Sequence, residues 1–235
     1  MPDTRTLRSF FDAIAKRYDF LNSWLSFCLD KKWRRSSVRL ALEGDEDRIL
    51  DLGMGSGKFL KEFMLKKNFS IAVGLDLSKE MLSYAKTSID PGVYLTQGDF
   101  AHIPFGNDSF DLVISSFTLR SVQDLPGFLH SVYDLLRGNG KAVFLCLTRP
   151  GNWMMRMLSY PYLKWYVPFM GGVLSGKRDA YRFLSDSVFL FQKPLETAQM
   201  MRRIGFKEVG IHSFSWGIAT LLVGKKTIRG RYDGL

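Results

Sequence analysis

The chain is poor in the residues that build covalent frameworks and metal cages. Its 235 residues include two cysteines, Cys28 and Cys146, and three histidines, His102, His130 and His212. Two isolated cysteines exclude a disulfide framework and point to a reducing compartment. The histidines lie far apart without metal-ligand spacing, so no metal is expected. Acidic side chains are outnumbered, 23 against 33 Lys and Arg, for a formal net charge of +10. That balance suits nucleic acid, an anionic membrane surface or only a well-solvated exterior. No interleaving of Lys/Arg with aromatics supports nucleic acid. Met1 to Phe11 carries Asp3, Arg5 and Arg8 and no apolar signal region. No window reaches the about 18 uncharged apolar residues of a membrane span. There is no internal repeat or low-complexity segment. The expected location is the cytoplasm, with any membrane contact made peripherally at the inner face.

What is present centres on Arg48 to Leu60. An apolar run ending in Asp51 meets three alternate glycines, Gly53, Gly55 and Gly57, and then a helix-forming pattern. This reads as a buried strand, a tight turn that a ligand can approach closely, and a helix N-terminus. A second apolar run, Ile71 to Leu75, ends in Asp76, 19 residues past Gly57. A carboxylate about 20 residues beyond a glycine turn reaches the ribose hydroxyls of a bound nucleoside.

Strand patterns recur at Arg48–Leu52, Ile71–Leu75, Val93–Gln97, Leu112–Ser115 and Ala142–Leu147. Helix patterns at Phe59–Leu65, Glu80–Thr87 and Phe128–Leu136 separate them, the last ended by Gly138 or Gly140. A helix pattern at Pro194–Ile204 precedes strands Val209–Phe214 and Ile218–Val223, whose short connection predicts an antiparallel hairpin at the sheet edge. The expected class is therefore α/β, a mostly parallel seven-stranded sheet with helices on both faces and an antiparallel C-terminal hairpin. Ligands of such sheets sit beyond the carboxyl ends of the strands, where the strand order reverses. Asp51, Asp76, Asp99 and Ser115–Ser116 all fall there. Asp99 could accept from an adenine amino group with Phe100 flanking the ring.

Residues 4–42 read as two helices joined by a turn within the aromatic-rich Tyr18 to Ser26, either a packed cover or a lid over a pocket. Trp153 to Gly172, rich in Met and aromatics and interrupted by Pro161 and Pro168, breaks the alternation. Core packing is the expectation for any single residue of it. The group as a whole is excessive for a connection and suits an apolar pocket or an interfacial surface. One domain is expected, divided into a helical lid (1–45), a cofactor-binding core (46–148), a substrate-side insert (149–193), a helix with two strands (194–226) and a mobile tail (227–235).

Gly-x-Gly-x-Gly differs from the Gly-x-Gly-x-x-Gly of dinucleotide sites. The terminal hairpin also departs from two repeated mononucleotide halves. Both favour S-adenosyl-L-methionine over a dinucleotide, and hence a methyltransferase over an oxidoreductase. Leu50-Asp51-Leu52-Gly53-Met54-Gly55-Ser56-Gly57 resembles the first motif of the Rossmann-like class I methyltransferases. Residues 10–226 more specifically resemble the ubiquinone/menaquinone biosynthesis C-methyltransferases. The match rests on Phe11-Asp12-x-Ile14-Ala15-x-x-Tyr18-Asp19-x-x-Asn22-x-x-x-Ser26 with Trp33-Arg34-Arg35, and on Asp111 to Val122. It continues in Tyr181-Arg182-Phe183-Leu184-x-x-Ser187-Val188 and Trp216-Gly217-Ile218-Ala219.

The resemblance implies cofactor contacts at Asp51, Gly53, Gly55, Ser56, Gly57, Asp76, Leu77, Asp99, Phe100 and Ser116. It implies substrate-side roles for Arg120, Tyr18 and Asn22. The implied acceptor is a polyprenylated quinol, with another phenol or lipid as the alternative, a non-catalytic binding protein behind it, and a peripheral membrane contact and a homodimer as further expectations. Phe27-Cys28-Leu29-Asp30, Thr118 and Cys146-Leu147-Thr148 depart from the family pattern on the presumed substrate side. Asp30 reads as a helix-surface charge.

Overall fold

The structure is a computed structural model describing residues 4–176 and 178–227. The expected mobile tail, apart from residue 227, lies outside the described residues. Seven strands form one sheet: β1 Arg48–Leu52, β2 Ile71–Asp76, β3 Tyr94–Gln97, β4 Phe110–Ser116, β5 Leu136–Leu147, β6 Lys207–Phe214 and β7 Ala219–Lys225. Their order is β3-β2-β1-β4-β5-β7-β6. The first five are parallel to one another, and β7 is antiparallel to both β5 and β6. The expected antiparallel hairpin stands at the sheet edge, with β7 beside β5 and β6 outermost. Ala219, Leu221 and Leu222 explain this, being completely or almost completely buried, as an inner strand of a two-faced sheet requires.

Nine helices flank the sheet among the described residues: α1 Thr4–Leu25, α2 Leu29–Ala41, α3 Lys58–Met64, α4 Lys79–Ala85, α5 Leu125–Leu135, α6 Trp153–Pro161, α7 Val167–Ser175, α8 Arg178–Leu190 and α9 Pro194–Ile204. The strand side chains alternate between two cores. Leu50, Val113, Ala142 and Phe144 pack with α5 and α9 on one face. Ile49, Leu112, Ile114, Val143 and Leu145 pack with α2 and α3 on the other. Each fully buried Leu, Ile or Phe contributes about 1.5–3 kcal/mol of transfer free energy. The helix expected to run through Leu136 instead starts at Leu125, capped by Asp124, whose side chain accepts from Gly127 N. It stops one residue earlier, where Leu136 pairs with Phe110 and opens β5.

A third cluster sits apart from the sheet. Ile14, Ala15, Leu21 and Leu25 of α1 meet Met81 of α4 and Tyr181 and Leu184 of α8, with Val167 and Met170 of α7 against them. Because Leu21 and Leu25 extend the buried stripe begun at Ile14, the expected turn inside Tyr18 to Ser26 does not form. α1 continues to Leu25, and the chain turns at Phe27 and Cys28, both in left-handed conformation (φ 51° and 59°). α6 and α7 are joined by a π-helical turn, Tyr162–Tyr166, where Pro161 and Pro168 interrupt the regular ladder. No residue of α6 or of the π turn is buried, and within Trp153 to Gly172 the core packing falls to α7, where Val167 and Met170 meet the third cluster.

At the α7–α8 crossing, a Cβ on Gly171 would lie 2.2 Å from Tyr181 Cγ, in a ring that is 1% exposed. Gly171→Ala should therefore cost about 1–3 kcal/mol through overpacking, measured by chemical denaturation. An unchanged midpoint would show that the crossing tolerates the methyl group.

Candidate active site

Sheet order reverses between β1 and β4, and a cavity of about 410 Å³ opens there, over the carboxyl ends of β3, β2, β1 and β4. Its floor is the glycine loop. Gly53 and Met54 donate backbone N–H groups to Leu75 O (2.8 and 3.1 Å), and Gly55 N donates to Asp76 Oδ2 (2.7 Å). Gly53, Gly55 and Gly57 all have positive φ, from 53° to 78°, which only glycine adopts without strain. Nothing lies within 4 Å of where a Cβ on Gly55 would stand, so that backbone faces open space. A Cβ on Gly53 would come 2.6 Å from Thr118 Cγ2, so the Thr that departs from the family pattern makes Gly53 obligatory.

The other predicted cofactor residues divide into those at the cavity wall and those behind it. Gly53, Gly55, Ser56, Asp76, Leu77, Asp99, Phe100 and Ser116 line the cavity; Asp51 and Gly57 do not. Gly57, buried against Ile89 and Met54, makes the turn into α3. Asp51 is 1% exposed, and neither carboxylate oxygen has a hydrogen-bond partner. Burial, and then the charge of Asp76, push its pKa up to about 8. Asp76 accepts from Gly55 N and Ser78 N (2.9 Å), yet burial still raises it to about 6. Phe100 packs edge-on against Phe128 of α5 (5.3 Å between centroids).

On the facing wall, α1 contributes Leu7, Phe11, Tyr18 and Asp19. Ser56 Oγ donates to Asp19 Oδ1 (2.7 Å), and Lys58 Nζ lies 3.4 Å from Asp19 Oδ2. Ser78 Oγ likewise donates to Asp12 Oδ1. The N-terminal helix is therefore bonded to the glycine loop and to the turn after β2. Asn22 is half-buried on α1 outside the cavity lining.

Arg120 also stands behind the wall, 5% exposed. Its Nη1 donates to Ser187 Oγ (2.5 Å) and Leu184 O (3.3 Å), its Nε has no partner, and among the described residues no carboxylate forms an ion pair with it. Burial lowers its pKa from the usual value, opposed by neighbouring Tyr18 and Cys146. Asp30, expected on a helix surface, is 2% exposed and accepts from Arg34 Nη1 (2.6 Å) and Ser26 Oγ (3.0 Å). The left-handed turn at Phe27–Cys28 rotates it inward, and the buried guanidinium neutralises it. Arg34, quoted above only as part of a motif, lines the cavity with its guanidinium 5.1 Å from the Phe117 ring centroid. Sequence reasoning also missed Asp19 and the α5 wall of Asp124, Gly127 and Phe128. Asp124 before Pro126 was a legible helix start.

The residues fit S-adenosylmethionine. A glycine backbone faces open space, a carboxylate ends β2, an acid and an aromatic follow β3, and an unpartnered buried carboxyl lies beneath the loop. Fold and site together define a class I S-adenosylmethionine-dependent methyltransferase. In agreement, the chain superposes with a TM-score of 0.67 on the methyltransferase bound to the Haloferax volcanii Trm112 activator, covering 96% of this chain and all of that one at 18% identity. An S-adenosylmethionine-dependent methyltransferase of Thermotoga maritima gives 0.66 at 17% identity, covering 94% of this chain and 100% of that one.

The family model of the ubiE/COQ5 methyltransferases matches residues 2–226, and the chain belongs to that family. It is 36% identical to the demethylmenaquinone methyltransferase of Thermotoga maritima, over 91% of this chain and 93% of the relative. It is 35% identical to the ubiquinone/menaquinone biosynthesis C-methyltransferase UbiE of Geotalea uraniireducens, over 94% and 96%.

The buried carboxyl makes ligand-free stability pH-dependent. Folded Asp51 keeps its proton up to about 8, against 3.8 for an ordinary carboxyl. Between those values the folded chain binds more protons than the unfolded one, so stability falls as pH rises. Asp51→Asn should raise the ligand-free melting temperature at pH 8 and hardly change it at pH 4. Equal shifts at both pH values in a thermal-melt series would refute this.

Proposed function

We propose that the enzyme transfers a methyl group from S-adenosylmethionine to a ring carbon of a polyprenylated hydroquinone, a demethylmenaquinol or a ubiquinone precursor. The names of the relatives point to quinols, and one structural observation carries the reading on this chain. Arg120 is a buried cation whose bonded partners, Ser187 and Leu184, are neutral, beside the cavity-lining Tyr18. A buried guanidinium without a carboxylate favours an anion nearby, and an ionised quinol hydroxyl is such an anion.

Bound cofactor supplies an electrophilic methyl group on sulfonium. The chain's residues do the rest. Asp76 would hold the ribose, Asp99 and Phe100 the adenine, and the glycine loop, with Asp51 buried beneath it, the amino-acid end. Arg120 stabilises the quinol oxyanion, which conjugation makes nucleophilic at the ring carbon, or orients the water that removes a proton. Tyr18, with Asn22 one turn along α1, orients the ring, and the lid formed by α1 excludes water. A methyl group passing to the ring carbon would leave the thioether behind, and the ring proton would leave to solvent through the water that Arg120 orients. His102, His130 and His212 are not among the cavity-lining residues. Positioning and charge stabilisation therefore carry the rate.

The α6–α7 segment supports access from a bilayer. Trp153, Met157, Trp165, Phe169 and Val173, at spacings of four or eight residues, are 59–69% exposed. An apolar row left exposed along a helical segment is expected at an interface. Phe20, Trp24 and Phe27 extend the exposed apolar surface onto the end of α1, with Trp24 stacked on Tyr166 and Phe27 against Tyr162. Among the described residues no helix is long and apolar enough to cross a membrane, so the contact we propose is peripheral, helped by basic side chains. A second reading, another phenolic or lipid acceptor, is favoured by the departures at Cys146, beside Arg120, and Asp30.

Incubation with labelled S-adenosylmethionine and reduced demethylated quinols should give methylated quinol by mass spectrometry. A panel without product despite cofactor binding would favour the other acceptor. Arg120→Ala should lower kcat by about 100-fold or more with cofactor affinity unchanged, and full activity would remove Arg120 from the mechanism. Anionic liposomes should co-sediment the wild-type chain and release Trp165→Ser/Phe169→Ser. Absence of co-sedimentation at every salt concentration would exclude the membrane contact.

A further inference from the structure

The nucleoside end of the cofactor is spoken for by Asp76 at the end of β2 and by Asp99 and Phe100 after β3. Strand order then dictates where the remainder lies. β1 and β4 come next in the sheet, so the amino-acid end extends over Gly53 and the Ser116–Phe117 turn. That end carries a carboxylate as well as an ammonium group, and the glycine loop offers no cation to it. Among the described residues, two cationic side chains line the cavity, Arg34 and Lys58. Lys58 is partly exposed and ion-paired to Asp19 at 3.4 Å. Arg34 has a side chain only 8% exposed, stands 5.1 Å from the Phe117 centroid, and has an Nε without any partner.

We propose that Arg34 is a cofactor-binding residue that holds the carboxylate of the amino-acid end of S-adenosylmethionine, with Asp30 setting its orientation. A guanidinium has five N–H donors in a planar fork suited to carboxylates. Asp30 occupies Nη1 (2.6 Å) and leaves donors over. Asp30 is itself fixed by Ser26 Oγ at 3.0 Å and Ser23 Oγ at 3.4 Å, so the fork is positioned before the ligand arrives. Phe117, held at φ 61°, lies against the same guanidinium and limits its swing. The plainer role, a neutralising partner for a buried Asp30, accounts for Nη1 but not for a cavity-lining guanidinium with a vacant donor. The assignment rests on S-adenosylmethionine as the cofactor and is independent of which acceptor is methylated.

The test compares two ligands by calorimetry on the full chain: S-adenosylmethionine, and decarboxylated S-adenosylmethionine, which keeps the sulfonium and ammonium groups and lacks only the carboxylate. The wild-type chain should prefer the first by about 10- to 100-fold, the range of hydrogen bonds to charged groups. In Arg34→Gln that ratio should collapse towards one while affinity for the decarboxylated ligand stays within about threefold. Arg34→Lys should restore part of the ratio. If loss of one buried charge unfolds Arg34→Gln, the doubly neutral Asp30→Asn/Arg34→Gln chain reads out the same ratio. A ratio unchanged from wild type, or equal weakening of both ligands, would reduce Arg34 to a structural partner and overturn the proposal. A wild-type chain that bound neither ligand would overturn the cofactor assignment beneath it.

Discussion

The structure depends on the tie between the glycine loop and the end of β2. Three consecutive N–H groups, of Gly53, Met54 and Gly55, are held by Leu75 O and the Asp76 carboxylate. Such donors would otherwise be orphaned where the strand stops. Their capture fixes the loop and leaves the face above Gly55 clear. Each oxygen of that carboxylate accepts one backbone bond, from Gly55 N and from Ser78 N, and keeps a lone pair facing the cavity side. The anchoring is concentrated in one buried side chain, whose desolvation is tolerated because backbone dipoles surround it.

Around this tie the N-terminal helix is organised as part of the site rather than a cover. Asp12 and Asp19, on one face of α1, accept from Ser78 and Ser56, which follow the ends of β2 and β1. Its apolar stripe packs on α4, α7 and α8. α8 in turn supplies Leu184 and Ser187, the partners of Arg120. A displacement of α1 would therefore be felt at the glycine loop, at Tyr18 and, through α8, at Arg120. The glycine loop and Arg120 are thus linked through one mechanical element.

Much of this was legible in the sequence for definite physical reasons. Strands buried on both faces leave apolar runs, a cofactor loop needs positive φ and so leaves glycines, and acids at strand ends are too costly to bury without purpose. What could not be read depended on tertiary partners. Asp30 and Arg34 look like surface charges because each is buried only in company with the other. The place of β7 inside the sheet depends on competition between edges, which local pattern does not encode. The turn in Tyr18 to Ser26 failed to form because burial of Leu21 and Leu25 outweighed local turn preference. Single residues of the Met- and aromatic-rich helices read as core, although the group did not, because sequence records hydrophobicity and not what is available to cover it.

The π turn has a consequence of phase. In an uninterrupted α-helix each four-residue step advances a side chain about 40° around the axis. Over the five steps from Trp153 to Val173 a row would wind about 200°, to the far side of the helix. A π turn accommodates in effect one additional residue and rotates everything after it back by about 100°. The irregularity at Tyr162–Tyr166 thus keeps Trp153, Trp165 and Val173 within a single quadrant or little more. The two prolines that interrupt the helix keep its apolar row pointing one way.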